Sequence, residues 1–325
     1  MSARATTNRQ LTSGEQFSDK TFHSMDDKIL TTQNDPFLLQ CLIAQKNEYS
    51  RAKKAGSKKL IFIILFTIFS IYSTTNESDL LSAIASLLAV GLLIYNKHSD
   101  KQISSLQKHA ASIQQYFDVT LFSSAIGGTK EEWGELPNKS DLANSISNII
   151  PDNKTDVGNW YNVCSSLPIT TQIFYCQREN VRWERELRQS YIHFQIWIFI
   201  FITSVTLASL LYFNPSAVKV ISTLSCLLSI GEHVYSACRQ IIENISRLQK
   251  IESLCEYFEC RRSEDGCQPS KNDLIRLQCK IRENRESCYL IPDWFYELNK
   301  KEQHKKEDII SKTIAYSHQE NERKK

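Results

Sequence analysis

The chain has 325 residues and a formal net charge of +3 at pH 7. This small charge excludes the general attraction to nucleic acid that a strongly basic protein shows, so we expect no DNA or RNA binding. The apolar residues are concentrated in long runs separated by polar sequence. This pattern predicts an all-α integral membrane protein with two transmembrane helical hairpins, four spans in all, and a cytoplasmic helical stalk and insert.

The first predicted elements are a leader and a helical hairpin. Residues 1–35 are rich in Ser, Thr, Gln and Asn and lack the apolar core of a signal peptide, so we expect a disordered leader. Region 36–97 begins as an amphipathic helix and continues into two apolar runs, with spans at about residues 60–75 and 80–95. A short polar turn separates the runs, which predicts an antiparallel pair.

Region 98–190 is predicted to hold a cytoplasmic helix, an insert and a juxtamembrane basic helix. Apolar residues of the cytoplasmic helix recur at alternating steps of three and four, the spacing of helices that pack as in a coiled coil. These residues are Ile103, Leu106, Ala110, Ile113 and Phe117. We expect this helix to continue directly from the second span.

The second hairpin occupies residues 191–238, with spans at about 191–213 and 217–238. The C-terminal region 239–325 repeats the three-and-four spacing, so its first helix is expected to pair with the earlier cytoplasmic helix. The residues of this second seam are Ile241, Asn244, Leu248, Ile251, Cys255 and Phe258. A further amphipathic helix near Leu274 and a charged tail are predicted to follow.

The distribution of Lys and Arg predicts the orientation of the spans. Basic residues precede the first and third spans and follow the second and fourth, whereas both hairpin turns lack Lys and Arg. Positive residues stay on the cytoplasmic side of a membrane. Both termini and the segment between the hairpins are therefore expected in the cytoplasm.

No sequence pattern predicts an active site, a metal site or a cofactor. The segment Gly127-Gly128-Thr129-Lys130 lacks the earlier glycine of a phosphate-binding loop. Ten cysteines are scattered through apolar runs and predicted helices, and the group near Cys260 lacks the paired spacing of a zinc site. We therefore expect a protein that is not an enzyme, with reduced thiols.

A basic face lies on the helix that enters the third span. Its arginines are spaced three or four residues apart and share one side of the helix: Arg178, Arg182, Arg185 and Arg188. One hypothesis is a contact with anionic lipid headgroups. The alternative is binding of phosphate groups on a soluble ligand, to which the planar guanidinium is well suited.

A polar stripe follows one side of the fourth span. The same spacing relates its members, which are Ser222, Ser225, Ser229, Glu232 and Ser236. Small hydroxyl residues let two spans approach closely, so the stripe can be a packing seam. Alternatively it lines a water-filled path in an assembly of several copies, where Glu232 would favour cations.

Five segments carry a resemblance to a known family. They are LLQCLIAQKNEYSRAKK (38–54), YFDVTLF (116–122), NWY (159–161), CQRENVRWERELRQSY (176–191) and the Pro292-Asp293-Trp294 cluster. With them the chain resembles the bacterial four-transmembrane pore-forming effectors associated with SMODS nucleotidyltransferase systems. The resemblance implies an anti-phage role, in which a sensor enzyme makes a cyclic oligonucleotide and the effector breaches the inner membrane.

We therefore expect an inner-membrane effector, embedded in the lipid bilayer, that forms a homo-oligomer and permeabilises the membrane. The expected signal is cytoplasmic, such as a cyclic oligonucleotide made by a partner nucleotidyltransferase. A membrane-anchored scaffold without a pore is the alternative hypothesis, and a membrane-bound enzyme is the third.

Overall fold

The computed structural model describes residues 28–75, 79–149, 157–213 and 217–323. Within these ranges the chain forms α-helices and one 3-10 turn, and no strand. The helices are α1 (Lys28–Thr32), α2 (Pro36–Thr75), α3 (Asp79–Ile126), α4 (Lys139–Ser147), α5 (Ile169–Phe213), α6 (Ala217–Asp265), α7 (Lys271–Ser287) and α8 (Asp293–Arg323), and the 3-10 turn is Lys130–Trp133. The all-α prediction is confirmed.

Local sequence explains where the helices begin. The Asp35 carboxylate accepts hydrogen bonds from the backbone amides of Phe37 and Leu38, and Pro36 occupies the first position of α2, where its missing N–H costs nothing. At the start of α7, Ser270 and Asp273 form a reciprocal capping box. These caps satisfy backbone donors that the first helical turn leaves without partners.

Four long helices form two antiparallel hairpins, α2 with α3 and α5 with α6. Each runs without a break from its apolar part into the polar bundle, as predicted for α3. Lys59 on α2 and Asp100 on α3 form an ion pair of 2.6 Å near the base of the first hairpin. In the second hairpin, Gly231 lies so close to Phe199 that an added Cβ atom would be 3.2 Å from the ring.

Large apolar side chains cover the outside of both hairpins. Leu87 is 75% exposed, Leu211 84% and Leu228 76%. Among the described helices, the α5 segment Ile169–Tyr212 is long and apolar enough to cross a membrane, and none of its apolar window is buried. The other three predicted spans do not meet this criterion of length and apolar composition, and they stay predictions.

The polar half of the chain has a continuous apolar core. Every member of the α6 seam is buried, and Ala110, Ile113 and Phe117 of the α3 seam are buried as well. The predicted direct pairing of the two seams is wrong, because α7 packs against both helices and against α5. Leu274 and Leu277, which begin the predicted amphipathic stripe of α7, are fully buried there.

Two connecting regions are part of this core. Ile29 in α1 is fully buried, so residues 28–32, which the sequence placed in a disordered leader, are helical and part of the core. Residues 1–27 lie outside the described part. In the segment between the hairpins, Trp133 and Tyr161 are buried in the main core, which makes the predicted insert a structural part of the bundle.

Candidate functional site: the arginine face of helix α5

All four predicted arginines lie on α5, before its apolar part, and each contacts a glutamate. Arg178 pairs with Glu259 and Arg185 with Glu252, both on α6; Arg182 pairs with Glu307 on α8, and Arg188 with Glu184 one turn earlier on α5. The structure therefore brings the four guanidinium groups to helix interfaces, where carboxylates of the same chain neutralise them. A phosphate group can bind there only in competition with these carboxylates.

The two pairs with α6 follow from antiparallel packing. Arg178 and Arg185 are seven residues apart, and so are Glu252 and Glu259. Seven residues make about two helical turns, so each pair of like residues shares one side of its helix. Matching repeats on two antiparallel helices place both pairs at the same interface. The seven-residue spacing of Glu252 and Glu259 could have predicted these partners from the sequence, but only the apolar spacing of α6 was considered there.

Two of the arginines open onto a narrow cleft between α5, α8 and the segment 162–167. Its empty space is about 360 Å³ including the solvent at its open mouth, while its enclosed part has room for roughly one or two water molecules. The lining residues are Asn162, Val163, Cys164, Leu167, Tyr175, Arg178, Glu179, Arg182, Glu307, Ile310, Ser311 and Ile314. The cleft thus combines one aromatic ring, aliphatic walls, two guanidinium groups and two carboxyl groups.

A carboxyl group with an unusual pKa lies in this cleft. Burial, and next the negative charge of Glu307, raise the pKa of Glu179 to about 8. Glu307 itself is 8% exposed, and its carboxylate accepts a 2.8 Å hydrogen bond from Arg182 Nε and a second from Arg182 Nη2. At neutral pH the arrangement is a neutral carboxyl beside a doubly hydrogen-bonded ion pair.

Helix α8 closes the outer side of the cleft and is held to α5 and to the segment 162–167 by several polar contacts. Besides the pair between Arg182 and Glu307, Asn162 donates a 3.3 Å hydrogen bond to Asp308. Gln303 donates to the backbone carbonyl of Trp183 at 3.4 Å, and the Lys306 ammonium lies 3.6 Å from a carboxylate of α5. Most of these contacts are partly exposed, so they are individually weak.

The first turns of α8 contact both hairpins where their helices enter the bundle. Asp293 accepts hydrogen bonds from Ser50 at 2.7 Å and from Lys53 at 2.6 Å, both on α2. The ring of Phe295 packs edge-on against Tyr191 of α5, with centroids 4.9 Å apart. Helix α8 therefore connects the arginine cleft to the parts of α2 and α5 that lead to the apolar hairpins.

A buried polar network, which the sequence did not predict, includes Tyr161, the residue before Asn162 of the cleft. Asp118 on α3 is completely buried and contacts three side chains: Tyr161 at 2.6 Å, Gln278 at 3.0 Å and Arg285 at 2.6 Å. Burial, and next the charge of Asp118, raise the pKa of Tyr161 well above its ordinary value, so its hydroxyl remains a donor. These residues are separated by up to 167 positions, and no local spacing connects them.

The predicted polar stripe lies on α6 but is described only in part. The side chains of Ser222, Ser225 and Ser229 lie outside the described residues, whereas Glu232 and Ser236 are exposed on the single chain. The role of the whole stripe therefore stays a prediction. Its described lower end is open to a neighbouring chain or to water.

Comparison with known proteins gives one match. The family model described as the SMODS-associating 4TM effector domain matches residues 27–313. No curated protein and no solved structure matches the chain. The matched range contains helices α1 to α7 in full and α8 as far as Thr313, and it includes every residue that lines the arginine cleft except Ile314.

Proposed function

Because the chain belongs to the SMODS-associating four-transmembrane effector family, we propose that it is a non-enzymatic membrane effector of a bacterial anti-phage system. In this proposal it oligomerises and permeabilises the inner membrane when a cytoplasmic signal reaches it. The signal is a cyclic oligonucleotide made by a partner nucleotidyltransferase. The membrane character follows from the family and from the exposed apolar helix α5.

The observation that carries the proposal is the contrast between the two ends of each hairpin. Toward the hairpin tips, large apolar side chains such as Ile68, Leu87 and Leu228 face outward. A soluble protein rarely exposes so much contiguous apolar surface, because removing each Å² of it from water lowers the free energy by about 25 cal/mol. Four spans cover this surface with lipid and keep both termini and the bundle on one side of the membrane, which the distribution of Lys and Arg predicts to be the cytoplasm.

The pore itself is assigned to the polar stripe of α6. Glu232 is exposed on the single chain, and a carboxylate that faces lipid costs up to about 2.5–3.5 kcal/mol on insertion scales, the value at the centre of a span. Assembly of several copies around the stripe removes this cost by giving the carboxylate water or a partner. The four long helices pass unbroken into the bundle, which supports transmission of a cytoplasmic signal to the spans.

Ion flux from liposomes that contain the purified chain tests the proposal. We expect flux after addition of cyclic oligonucleotides to the side that carries the bundle, and little flux without them. A membrane-anchored scaffold would insert and oligomerise but release no ions under any of these conditions. That result, with cross-linked oligomers present, would reject the effector mechanism.

A further inference from the structure

We propose that the cleft between α5 and α8 is the binding site for the phosphodiester of a soluble nucleotide, which binds Arg178 and Arg182 by displacing Glu307 and thereby releases α8. The inference rests on the proposed function, because it assigns the site at which the cytoplasmic signal acts. It also goes beyond that function, since it names an intramolecular competitor for the ligand.

The position of the two arginines distinguishes a soluble phosphate from a lipid headgroup. Helix α5 is continuous, and each residue adds 1.5 Å along its axis. If the span begins at Tyr191, Arg182 lies about 14 Å and Arg178 about 20 Å from its start. The headgroup layer on one side of a bilayer is only about 5–8 Å thick. Lipid phosphates therefore do not reach these two guanidinium groups.

The shape and chemistry of the cleft fit a nucleotide better than a bare phosphate ion. Tyr175 offers an aromatic ring for stacking, and Leu167 and Ile310 add aliphatic walls. Asn162 and the protonated carboxyl group of Glu179 can both donate and accept hydrogen bonds, as the edge of a nucleobase requires. The two arginines supply donors for the phosphodiester once Glu307 has left Arg182, with Arg178 still in contact with Glu259.

Displacement of Glu307 is required on two grounds. The donors of Arg182 that point toward α8 are already taken by the Glu307 carboxylate. In addition, the enclosed part of the cleft has room for little more than one or two water molecules. A nucleotide can therefore enter only if Glu307 leaves Arg182 and α8 moves outward.

The release of α8 has a route to the membrane. The same helix contacts α2 through Asp293 and α5 through Phe295, next to the parts that lead into the hairpins. When Glu307 is displaced, the polar contacts that still hold α8 at the cleft, to α5 and to Asn162, are partly exposed and individually weak. Ligand binding at the cleft thus loosens a helix that connects both hairpins.

Three variants of the full chain test this inference with cyclic di-AMP, cyclic di-GMP and cyclic tri-AMP as probes. Arg182→Gln should lower the affinity of the probe that binds by at least about tenfold, since a charge-assisted hydrogen bond is worth about 1.5–3 kcal/mol. Glu307→Gln should raise that affinity, because the competitor loses its charge. Arg185→Gln is the matched control: it breaks the pair with Glu252 on α6, but Arg185 does not line the cleft.

Two further measurements complete the test. Hydrogen exchange of the α8 amides should accelerate when the nucleotide binds, and phosphatidylglycerol vesicles should not compete with it. Equal affinities in wild type, Arg182→Gln and Glu307→Gln would overturn the inference, as would absence of binding in both wild type and Glu307→Gln, or competition by the vesicles. If Arg182→Gln keeps both its flux and its affinity for the probe, this site is rejected while the proposed function stands. If the wild type binds the probe normally but shows no flux, only the pore is rejected.

Discussion

Arg285 on α7 donates a 2.6 Å hydrogen bond to Asp118 on α3, and the two side chains are 2% and 0% exposed. This ion pair lies where α7 packs against α3. A buried pair of this kind contributes little net stability compared with apolar residues of the same size, but loss of Asp118 leaves the buried guanidinium of Arg285 with Glu184 alone, 3.8 Å from its Nε. The packing of α7 against α3 is therefore expected to tolerate replacement of both residues better than replacement of one.

Replacement of one partner is expected to destabilise the bundle strongly. Asp118→Leu should lower the free energy of unfolding by about 3–5 kcal/mol, measured by denaturant unfolding of the detergent-solubilised protein. The double variant Asp118→Leu/Arg285→Met should recover a large part of this loss. The control Lys312→Gln removes an exposed pair with Asp308 and should cost less than about 1 kcal/mol. A double variant as unstable as the single one would contradict this role of the pair.

The orientation of the chain can be tested with its own thiols. Cys260 and Cys267 are exposed near the end of α6, in the part assigned to the cytoplasm. A membrane-impermeant maleimide should label them in inside-out vesicles and not in intact spheroplasts, and serine at both positions should remove this labelling. In that serine background, a cysteine at Asn76 or Asn214 should show the reverse pattern. Labelling of Cys260 or Cys267 in intact spheroplasts would mean that the predicted topology is inverted.

The sequence predicted features that depend on local periodicity. The seam residues of α3 and α6, such as Phe117 and Phe258, are buried because a three-and-four spacing places them on one side of a helix whatever packs there. The spacing does not identify the partner, and α7 occupies the position that we expected the other seam to fill. The arginine face was likewise visible, but three of its four glutamate partners, including Glu307, come from distant parts of the chain.

The pH dependence of stability should reveal the carboxyl group of Glu179. Its pKa is about 8 in the folded chain and near 4.5 in the unfolded one, so between these values the folded state holds a proton that the unfolded state has lost. The stabilising contribution is complete below pH 4.5 and is lost as the pH rises through 8. The groups that face Glu179 are Glu307 from α8 and Arg182 from α5, together with the backbone of Asn162.

Glu179→Gln should therefore flatten the fall in melting temperature between about pH 5 and pH 8, because the amide carries no titrating proton. Glu283→Gln is a suitable control, since Glu283 is 64% exposed in a surface pair with Lys280. Thermal melts of the three proteins across this pH range give the comparison. If the wild type and Glu179→Gln lose stability with the same slope, the carboxyl group of Glu179 is ionised in the folded chain at neutral pH.

Two glycines of the hairpins should respond in opposite ways to the same substitution. At Gly231 an added Cβ atom would lie 3.2 Å from the Phe199 ring, so Gly231→Leu forces α5 and α6 apart and should cost about 1–3 kcal/mol. Nothing lies within 4 Å of the corresponding position at Gly91. Gly91→Leu should therefore leave stability unchanged or raise it, because leucine is the better helix former. Equal melting temperatures for the two variants would contradict the close packing of the second hairpin.

The polar stripe of α6 is tested by adding bulk or removing charge. If the stripe lines a conducting path, Ser225→Leu and Ser229→Leu should narrow and dry it, so that flux is lost while the protein still inserts and forms oligomers. In a packing seam the same bulk would instead prevent assembly.

Thr223→Leu provides the matched control, because its position on the helix lies on the side away from the stripe. Glu232→Gln should keep the flux and reduce its cation preference, since the carboxylate favours cations through its charge. Flux of unchanged size and selectivity in the three stripe variants, with oligomers intact by cross-linking, would place the path on another helix.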